Sequence, residues 1–125
     1  MKGIEKHKLQ NIMANYFNIP SEIEEKIRLR DKICVYCSKE MIYPYNIYKR
    51  SDSATIEHLK FDGPFYWKDG LDETGIAICC GSCNSSRGPK KLSEWFKTPY
   101  CIDRKINKDT VADPIKRFVE MYPEL

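Results

Sequence analysis

Two cysteine pairs constrain this chain more than any other feature of its sequence. Cys34 and Cys37 form the first pair, Cys80 and Cys83 form the second, and each pair encloses two residues. Two thiolates at this spacing on a tight turn can chelate one metal ion, which is the geometry of structural zinc sites. Because residues 38–79 separate the pairs, the fold has to accommodate a hairpin and a long loop between them. The four cysteines therefore predict a structural Zn²⁺ that contributes to folding.

The length and charge of the chain favour one small domain. It has 125 residues, with 21 basic and 18 acidic side chains and a net charge of +3. One domain is the default at this length, and a metal would compensate for a modest core. The first residues lack the apolar run of a signal peptide, and no segment is apolar enough to cross a membrane. We expect a single domain over residues 1–125, a cytoplasmic location and no membrane contact.

The six cysteines allow more than one interpretation. In the cytoplasm, thiols are more often ligands or free than joined in disulfides, but a secreted chain could pair an even number of them. Cys79 is adjacent to Cys80 and could itself be a ligand. The equal spacing of the two pairs favours Cys80, and we interpret Cys79 as a core residue. Cys101 has no cysteine two or three positions away, and we interpret it as structural or free.

The hydrophobic pattern predicts both helices and short strands, which corresponds to the α+β class. A weakly amphipathic helix is expected at 4–17. A second helix is expected from a capping box formed by Ser21 and Glu24, and it should end near Arg30 or Asp31. Two short strands are predicted at 53–57 and 76–79.

Other segments carry weaker signals. Residues 41–48 contain a proline and predict irregular or edge-strand structure. Apolar residues at 92–96 predict a helical patch. Asp113 followed by Pro114 is typical of an N-cap and a first helical residue, so we expect a helix at 113–122.

A short acidic and basic motif lies between the cysteine pairs. The residues Thr55-Ile56-Glu57-His58 stand there, and Asn84 and Arg87-Gly88 follow the last cysteine. Together with the cysteine pairs, this pattern resembles HNH endonucleases of the four-cysteine zinc type, over about residues 28–97. The resemblance implies a ββα-metal (His-Me finger) core, in which a hairpin carries the acid and histidine and a helix carries the last motif residue. It also implies hydrolysis of phosphodiester bonds in DNA with one divalent metal ion, Mg²⁺ or Mn²⁺.

The resemblance assigns roles to three residues. His58 would be the general base, and Glu57 and Asn84 would hold the catalytic metal. A neutral imidazole can accept a proton near pH 7, and carboxylate and amide oxygens suit Mg²⁺. Neighbouring residues of a regular strand point to opposite faces, so we expect the backbone to turn at the strand end and bring Glu57 and His58 to one site.

The stretch after the second cysteine pair is positively charged. Between residues 84 and 109, seven basic side chains outnumber three acidic ones. By the resemblance, Arg87 would contact the scissile or a neighbouring phosphate, and Lys90 and Lys91 would add contacts independent of DNA sequence. The same stretch can also be a solvated face without a ligand. With no separate recognition region, specificity would be weak or would come from a homodimer or a protein partner.

Two positions depart from the family pattern. The family more often has aspartate at the position of Glu57. Gly75 occupies the position of an asparagine that is thought to brace the hairpin loop. The alternative function is a non-catalytic zinc-finger module that binds nucleic acid or a protein, although this gives no reason for the spacing of Glu57, His58 and Asn84.

Overall fold

A two-stranded antiparallel sheet lies at the centre of the fold. The structure, a computed structural model, describes residues 17–125, so the helix predicted at 4–17 lies outside the described residues apart from Phe17. Strand β1 (Ala54–His58) pairs with β2 (Ile76–Cys80), with Ala54 opposite Cys80 and His58 opposite Ile76. Both predicted strands are confirmed, and so is the α+β class.

Five α-helices surround the sheet within residues 17–125: α1 (Ser21–Arg30), α2 (Gly81–Arg87), α3 (Leu92–Trp95), α4 (Pro99–Arg104) and α5 (Asp113–Met121). Helix α1 ends where the sequence predicted. Helices α2 and α3 are separate because Gly88 ends α2 with a positive φ of 52°. None of the helices in this part of the chain is long and apolar enough to span a bilayer.

The predicted caps of two helices are wrong by one residue. Pro20, not Ser21, is the N-cap of α1, and no side chain caps it. The backbone N–H of Glu24 donates to the Pro20 carbonyl, while its carboxylate pairs with Arg28 one turn later (Oε1–Nε 2.9 Å). A proline N-cap has no N–H for a glutamate to reach, so the capping box cannot form. Ala112 is likewise the N-cap of α5, and Asp113 is its first residue.

The two faces of the sheet pack against different clusters. Residues of a strand alternate between faces, so Ala54 and Ile56 share one face and Thr55 and Glu57 share the other. The first face contacts a cluster with Ile27 of α1. The second contacts the larger cluster, which contains these buried residues among others: Tyr36, Leu59, Cys79, Leu92, Trp95, Ile115 and Phe118.

A charged pair closes the outer edge of β2. Asp31, at the end of α1, is buried and accepts a hydrogen bond from the backbone N–H of Ile78 at 3.0 Å. Arg30 donates to both carboxylate oxygens of Asp31 at 2.8 Å and to the Ile76 carbonyl at 3.3 Å. These bonds satisfy strand-edge groups that would otherwise be free to pair with another chain.

The segment before β1 packs tightly against α2. Residues 41–48 have no regular structure, as predicted, and contact the sheet through a bridge between Ile42 and Ser53. The short 3₁₀ turn Arg50–Asp52 follows. A Cβ atom on Gly81, the first residue of α2, would overlap the carbonyl oxygen of Arg50. Only glycine fits this contact without a shift of the backbone.

Candidate functional site

The four cysteines of the two pairs meet at one point. Their sulfur atoms all lie within 4.8 Å of one another, and those of Cys37 and Cys80 are 3.8 Å apart. Zn–S bonds of about 2.3 Å in a tetrahedron place the sulfurs about 3.8 Å apart. None of the six cysteines, all of which lie in the described part of the chain, forms a disulfide. The cluster therefore fits a structural zinc ion, and the disulfide interpretation has no support.

Cys80 is where strand, helix and cluster join. It ends β2, and as the N-cap of α2 its sulfur accepts a hydrogen bond from the backbone N–H of Cys83. Its own N–H donates to the Cys34 sulfur at 3.3 Å. Hydrogen bonds with Cys34 and Cys83 lower the pKa of Cys80, which favours the thiolate, the form that binds metals.

A tyrosine that the sequence analysis missed contacts this cluster. The Tyr100 hydroxyl donates to the Cys83 sulfur at 3.3 Å and lies 2.8 Å from the hydroxyl of Ser82. The guanidinium of Arg104 lies 3.7 Å from the centre of the Tyr100 ring. Burial and the bond to Cys83 raise the pKa of Tyr100, so its hydroxyl keeps its proton. Such outer contacts orient metal ligands and offset their charge.

The two remaining cysteines, Cys79 and Cys101, do not belong to the four-cysteine cluster. Cys79 is fully buried on the opposite side of the backbone from Cys80, with its sulfur 3.8 Å from the Thr55 hydroxyl. Burial raises the pKa of Cys79 well above its ordinary value, so it stays a neutral thiol. Cys101 is also buried and free. The interpretation of Cys79 as a core residue is confirmed.

Glu57 is buried on the side of the hairpin that faces α2. Its Oε2 accepts hydrogen bonds from the Tyr36 hydroxyl at 2.7 Å and from Nη1 of Arg87 at 3.3 Å. Oε1 accepts no hydrogen bond from a residue in 17–125. Burial raises the pKa of Glu57, and the positive charge of Arg87 opposes this rise.

Arg87 lies inside the protein, which differs from its predicted position at a phosphate. Only 1% of its surface is exposed. Besides Glu57, its guanidinium donates to the carbonyls of His58 (3.0 Å), Leu59 (2.6 Å) and Lys90 (3.0 Å). A contact with DNA would require it to leave these bonds. In this arrangement Arg87 holds the end of β1 against the end of α2.

Asn84 directly follows Cys83 and crosses the edge of β1. Its Nδ2 donates to the Thr55 hydroxyl at 3.0 Å and to the Ile56 carbonyl at 3.1 Å. Both bonds use the amide nitrogen, and the carbonyl oxygen Oδ1 has no donor among the described residues. Because Thr55 and Glu57 share a face of β1, the structure brings Asn84 and Glu57 to the same side of the hairpin.

The His58 side chain lies on the opposite face of β1 from Glu57, so the backbone turn expected at the end of the strand was wrong. Strand pairing continues through His58 and beyond it, since Leu59 N–H donates to the Gly75 carbonyl at 2.9 Å. The imidazole lies between the rings of Phe17 and Phe65, with centroid distances of 4.5 and 5.6 Å. Its buried Nε2 bonds to no described residue. Burial lowers the pKa of His58, so the ring is neutral at pH 7.

Lysines lie around this end of the hairpin. Lys90 is exposed, with Nζ 3.2 Å from the Ser86 carbonyl at the end of α2. Lys91 is half-buried, with Nζ 5.9 Å from the centre of the Phe61 ring. Lys60, which the sequence analysis missed, has its Nζ 4.2 Å from the centre of the Tyr122 ring. Its position in the sequence, two residues after His58, is the signal that could have marked Lys60 as a neighbour of the candidate site.

The loop before β2 is braced without an asparagine at position 75. Oδ1 of Asp72 accepts from the backbone N–H of Thr74 at 2.9 Å and from its hydroxyl at 2.5 Å. The N–H of Gly75 donates to the Asp72 carbonyl at 3.0 Å. Asp72 and Thr74 therefore hold the backbone that presents the Gly75 carbonyl to Leu59.

Comparison of the sequence with protein-family models and with curated proteins gave no match.

Proposed function

We propose that this chain is a metal-dependent DNA endonuclease with a structural zinc ion and a ββα-metal core formed by β1, β2 and α2. The observation that supports this most is a pair of side-chain oxygens, Oε1 of Glu57 and Oδ1 of Asn84. Both belong to side chains held in place by other hydrogen bonds, and neither oxygen has a donor among the described residues. Carboxylate and amide oxygens are the donors that Mg²⁺ and Mn²⁺ prefer.

In this proposal the surrounding contacts position the two metal ligands. Tyr36 and Arg87 hold the Glu57 carboxylate through Oε2. Thr55 holds the amide of Asn84, and a zinc ion in the cysteine cluster would hold Cys83, the residue before it. When bound, the catalytic cation would stabilise negative charge on the leaving oxygen.

His58 would accept a proton from the attacking water. Its lowered pKa keeps the ring in the neutral form that a base needs at pH 7. Glu57 and His58 point to opposite faces, so the scissile phosphate would lie at the end of β1, where adjacent residues reach it from two sides. Phe65, which is 41% exposed, would have to move away from the imidazole when DNA binds.

DNA is the proposed partner, and the lysines at this end of the hairpin would contact its phosphates. Lys90 and Lys91 would supply contacts that depend on salt and not on base sequence. One such site cuts one strand, so a double-strand break would require a second copy of the chain or a second event.

The non-catalytic zinc module is the second candidate, and a specific observation favours it. The Glu57 carboxylate and the His58 Nε2 are both buried, and they face different sides of β1. In that case Glu57 and Arg87 would serve only to join α2 to the sheet.

A plasmid-nicking assay tests the proposal. We would compare wild type with His58→Ala and Asn84→Ala in Mg²⁺, Mn²⁺ and Ca²⁺, with His7→Ala as the matched control at the other histidine. Zinc content and circular dichroism would establish that each variant folds. We expect nicking by wild type and His7→Ala and at least a ~100-fold loss in the other two, which is the scale of a lost general base. Folded, zinc-loaded wild type that binds DNA without nicking it would instead favour the binding module.

A further inference from the structure

The turn at residues 46–50 carries the most exposed aromatic side chain in the described structure. We propose that this turn binds single-stranded or locally unpaired DNA, with Tyr48 stacked on one base and Lys49 and Arg50 on neighbouring phosphates. The choice of DNA as ligand rests on the proposed function. The contact itself lies outside the candidate catalytic site.

Tyr48 stands out because of how much apolar surface it leaves in water. It is 90% exposed, and Tyr43 and Ile47 in the same segment are each 49% exposed. Single exposed apolar residues are ordinary, whereas several in one short segment mark an interaction surface. One face of Tyr43 is covered by the Arg28 guanidinium, 4.5 Å from the ring centre, which leaves Tyr48 as the free ring.

The backbone beneath Tyr48 is ordered by hydrogen bonds within the turn and to the buried Ser53. Ser53, which is fully buried, donates to the Lys49 carbonyl at 2.8 Å and accepts from the Asn46 N–H at 3.0 Å. Oδ1 of Asn46 accepts from the Tyr48 N–H at 2.9 Å. A ring presented by an ordered turn loses little conformational entropy when a ligand stacks on it.

The charge next to Tyr48 selects the ligand class. Lys49 and Arg50 follow it directly and are exposed, and neither forms an ion pair within residues 17–125. Asp52, the nearest acid along the chain, is paired with Lys39 at 2.8 Å. An aromatic platform beside unpaired cations is the combination that binds unpaired bases and their phosphates.

The turn and the candidate catalytic site are separated along the chain by β1. The turn precedes Ala54, whereas the site is at the His58 end, and the five residues of the strand span about 13 Å.

Fluorescence anisotropy with a labelled oligonucleotide of about 20 nucleotides, single-stranded or as a duplex, tests the stacking contact. Ca²⁺ would replace Mg²⁺ so that binding is measured without cleavage. We expect Tyr48→Ala to weaken single-strand binding roughly 5- to 150-fold, and Tyr48→Phe to bind like wild type. Tyr48→Leu should resemble Tyr48→Ala. Ile102→Ala, at a 63% exposed position elsewhere, is the matched control and should have no effect.

A second measurement tests the two cations. In the Lys49→Gln/Arg50→Gln double variant, the slope of log affinity against log salt for single-stranded DNA should be shallower by about 1.4, as two lost phosphate contacts require. An unchanged slope would remove the phosphate part of the proposal.

The outcomes separate this inference from the proposed nuclease. Single-strand affinity that is the same in Tyr48→Ala and Ile102→Ala overturns the inference, even if plasmid nicking is intact. Full binding by Tyr48→Leu also overturns it, because DNA binding would then not require an aromatic ring at this position. Tyr48-dependent binding by a wild type that never nicks supports the inference and rejects the nuclease.

Discussion

Arg87 and Glu57 form an ion pair inside the protein, with Nη1 and Oε2 3.3 Å apart and side-chain exposures of 1% and 6%. The pair joins the last residue of α2 to the fourth residue of β1. Since the same guanidinium also binds three backbone carbonyls, it determines how the helix lies against the end of the strand. Any metal site made from Glu57 and Asn84 depends on that arrangement.

Loss of Arg87 should destabilise the fold strongly. Arg87→Met would leave the Glu57 carboxylate buried without its cation, and breaking a buried pair from one side costs about 3–5 kcal/mol. Urea unfolding at fixed zinc concentration measures this change. Lys90→Ala, at an exposed neighbour, should stay within about 0.5 kcal/mol of wild type. Equal stability of the two variants would show that the pair is not a structural requirement.

Gly81→Ala should also destabilise the fold, through a steric effect. The added methyl group would overlap the Arg50 carbonyl oxygen, and the backbone of the turn would have to move. Overpacking of this kind costs about 1–3 kcal/mol. Thermal unfolding compares this variant with Ser85→Ala, an exposed position in the same helix. A melting temperature for Gly81→Ala at or above that of Ser85→Ala would contradict the close packing.

Tyr100→Phe should weaken zinc binding while leaving the fold intact. The change removes the hydroxyl that donates to the Cys83 sulfur, and outer contacts of this kind contribute about 10- to 100-fold to metal affinity. Competition with a chromophoric chelator measures the affinity. Tyr122→Phe, whose hydroxyl has no hydrogen-bond partner among the described residues, is the control. Equal affinities for the two variants would exclude Tyr100 from the zinc site's surroundings.

His58 should make stability fall as the solution becomes acidic. Burial lowers its folded pKa below the ordinary value of 6.5; a backbone hydrogen bond at Phe65 opposes this shift, and the charge of Arg87 adds to it. The unfolded chain therefore binds a proton first as pH falls through 6.5, and stability is lost between that pH and the lower folded pKa. Above 6.5 the contribution is complete. Unfolding free energies from pH 7.5 to 5 should fall less steeply in His58→Gln than in wild type, and parallel curves would show an unshifted histidine.

The local features of the fold could be predicted from the sequence, and the long-range ones could not. The spacing of Cys34, Cys37, Cys80 and Cys83 indicated the metal cluster because ligand spacing is a local property. The strands followed from short apolar runs. The point at which the strand pairing ends, however, depends on the hydrogen bond between Leu59 and Gly75 across the hairpin. Because pairing continues past His58, the side chains of Glu57 and His58 lie on opposite faces of β1.

Other site features depend on partners distant in the sequence. The burial of Arg87 follows from its pairing with Glu57 thirty positions earlier, and nothing local distinguishes it from an arginine at the surface. Tyr100 carries no motif that marks a contact with a zinc ligand. The predicted N-caps were wrong for a local reason. Ser21 and Asp113 are each the first residue of a helix, and the residues before them, Pro20 and Ala112, are the N-caps.

Cys80 ends a strand, caps a helix and contributes a sulfur to the metal cluster, so one residue serves three purposes. An empty cluster would loosen the junction of β2 and α2, and Asn84 would lose its register with β1 at the same time. If the proposed function is correct, the two metals are acquired in a fixed order. Zinc supply would then act as a checkpoint on the nuclease, because a chain without zinc could not assemble the site that cuts DNA.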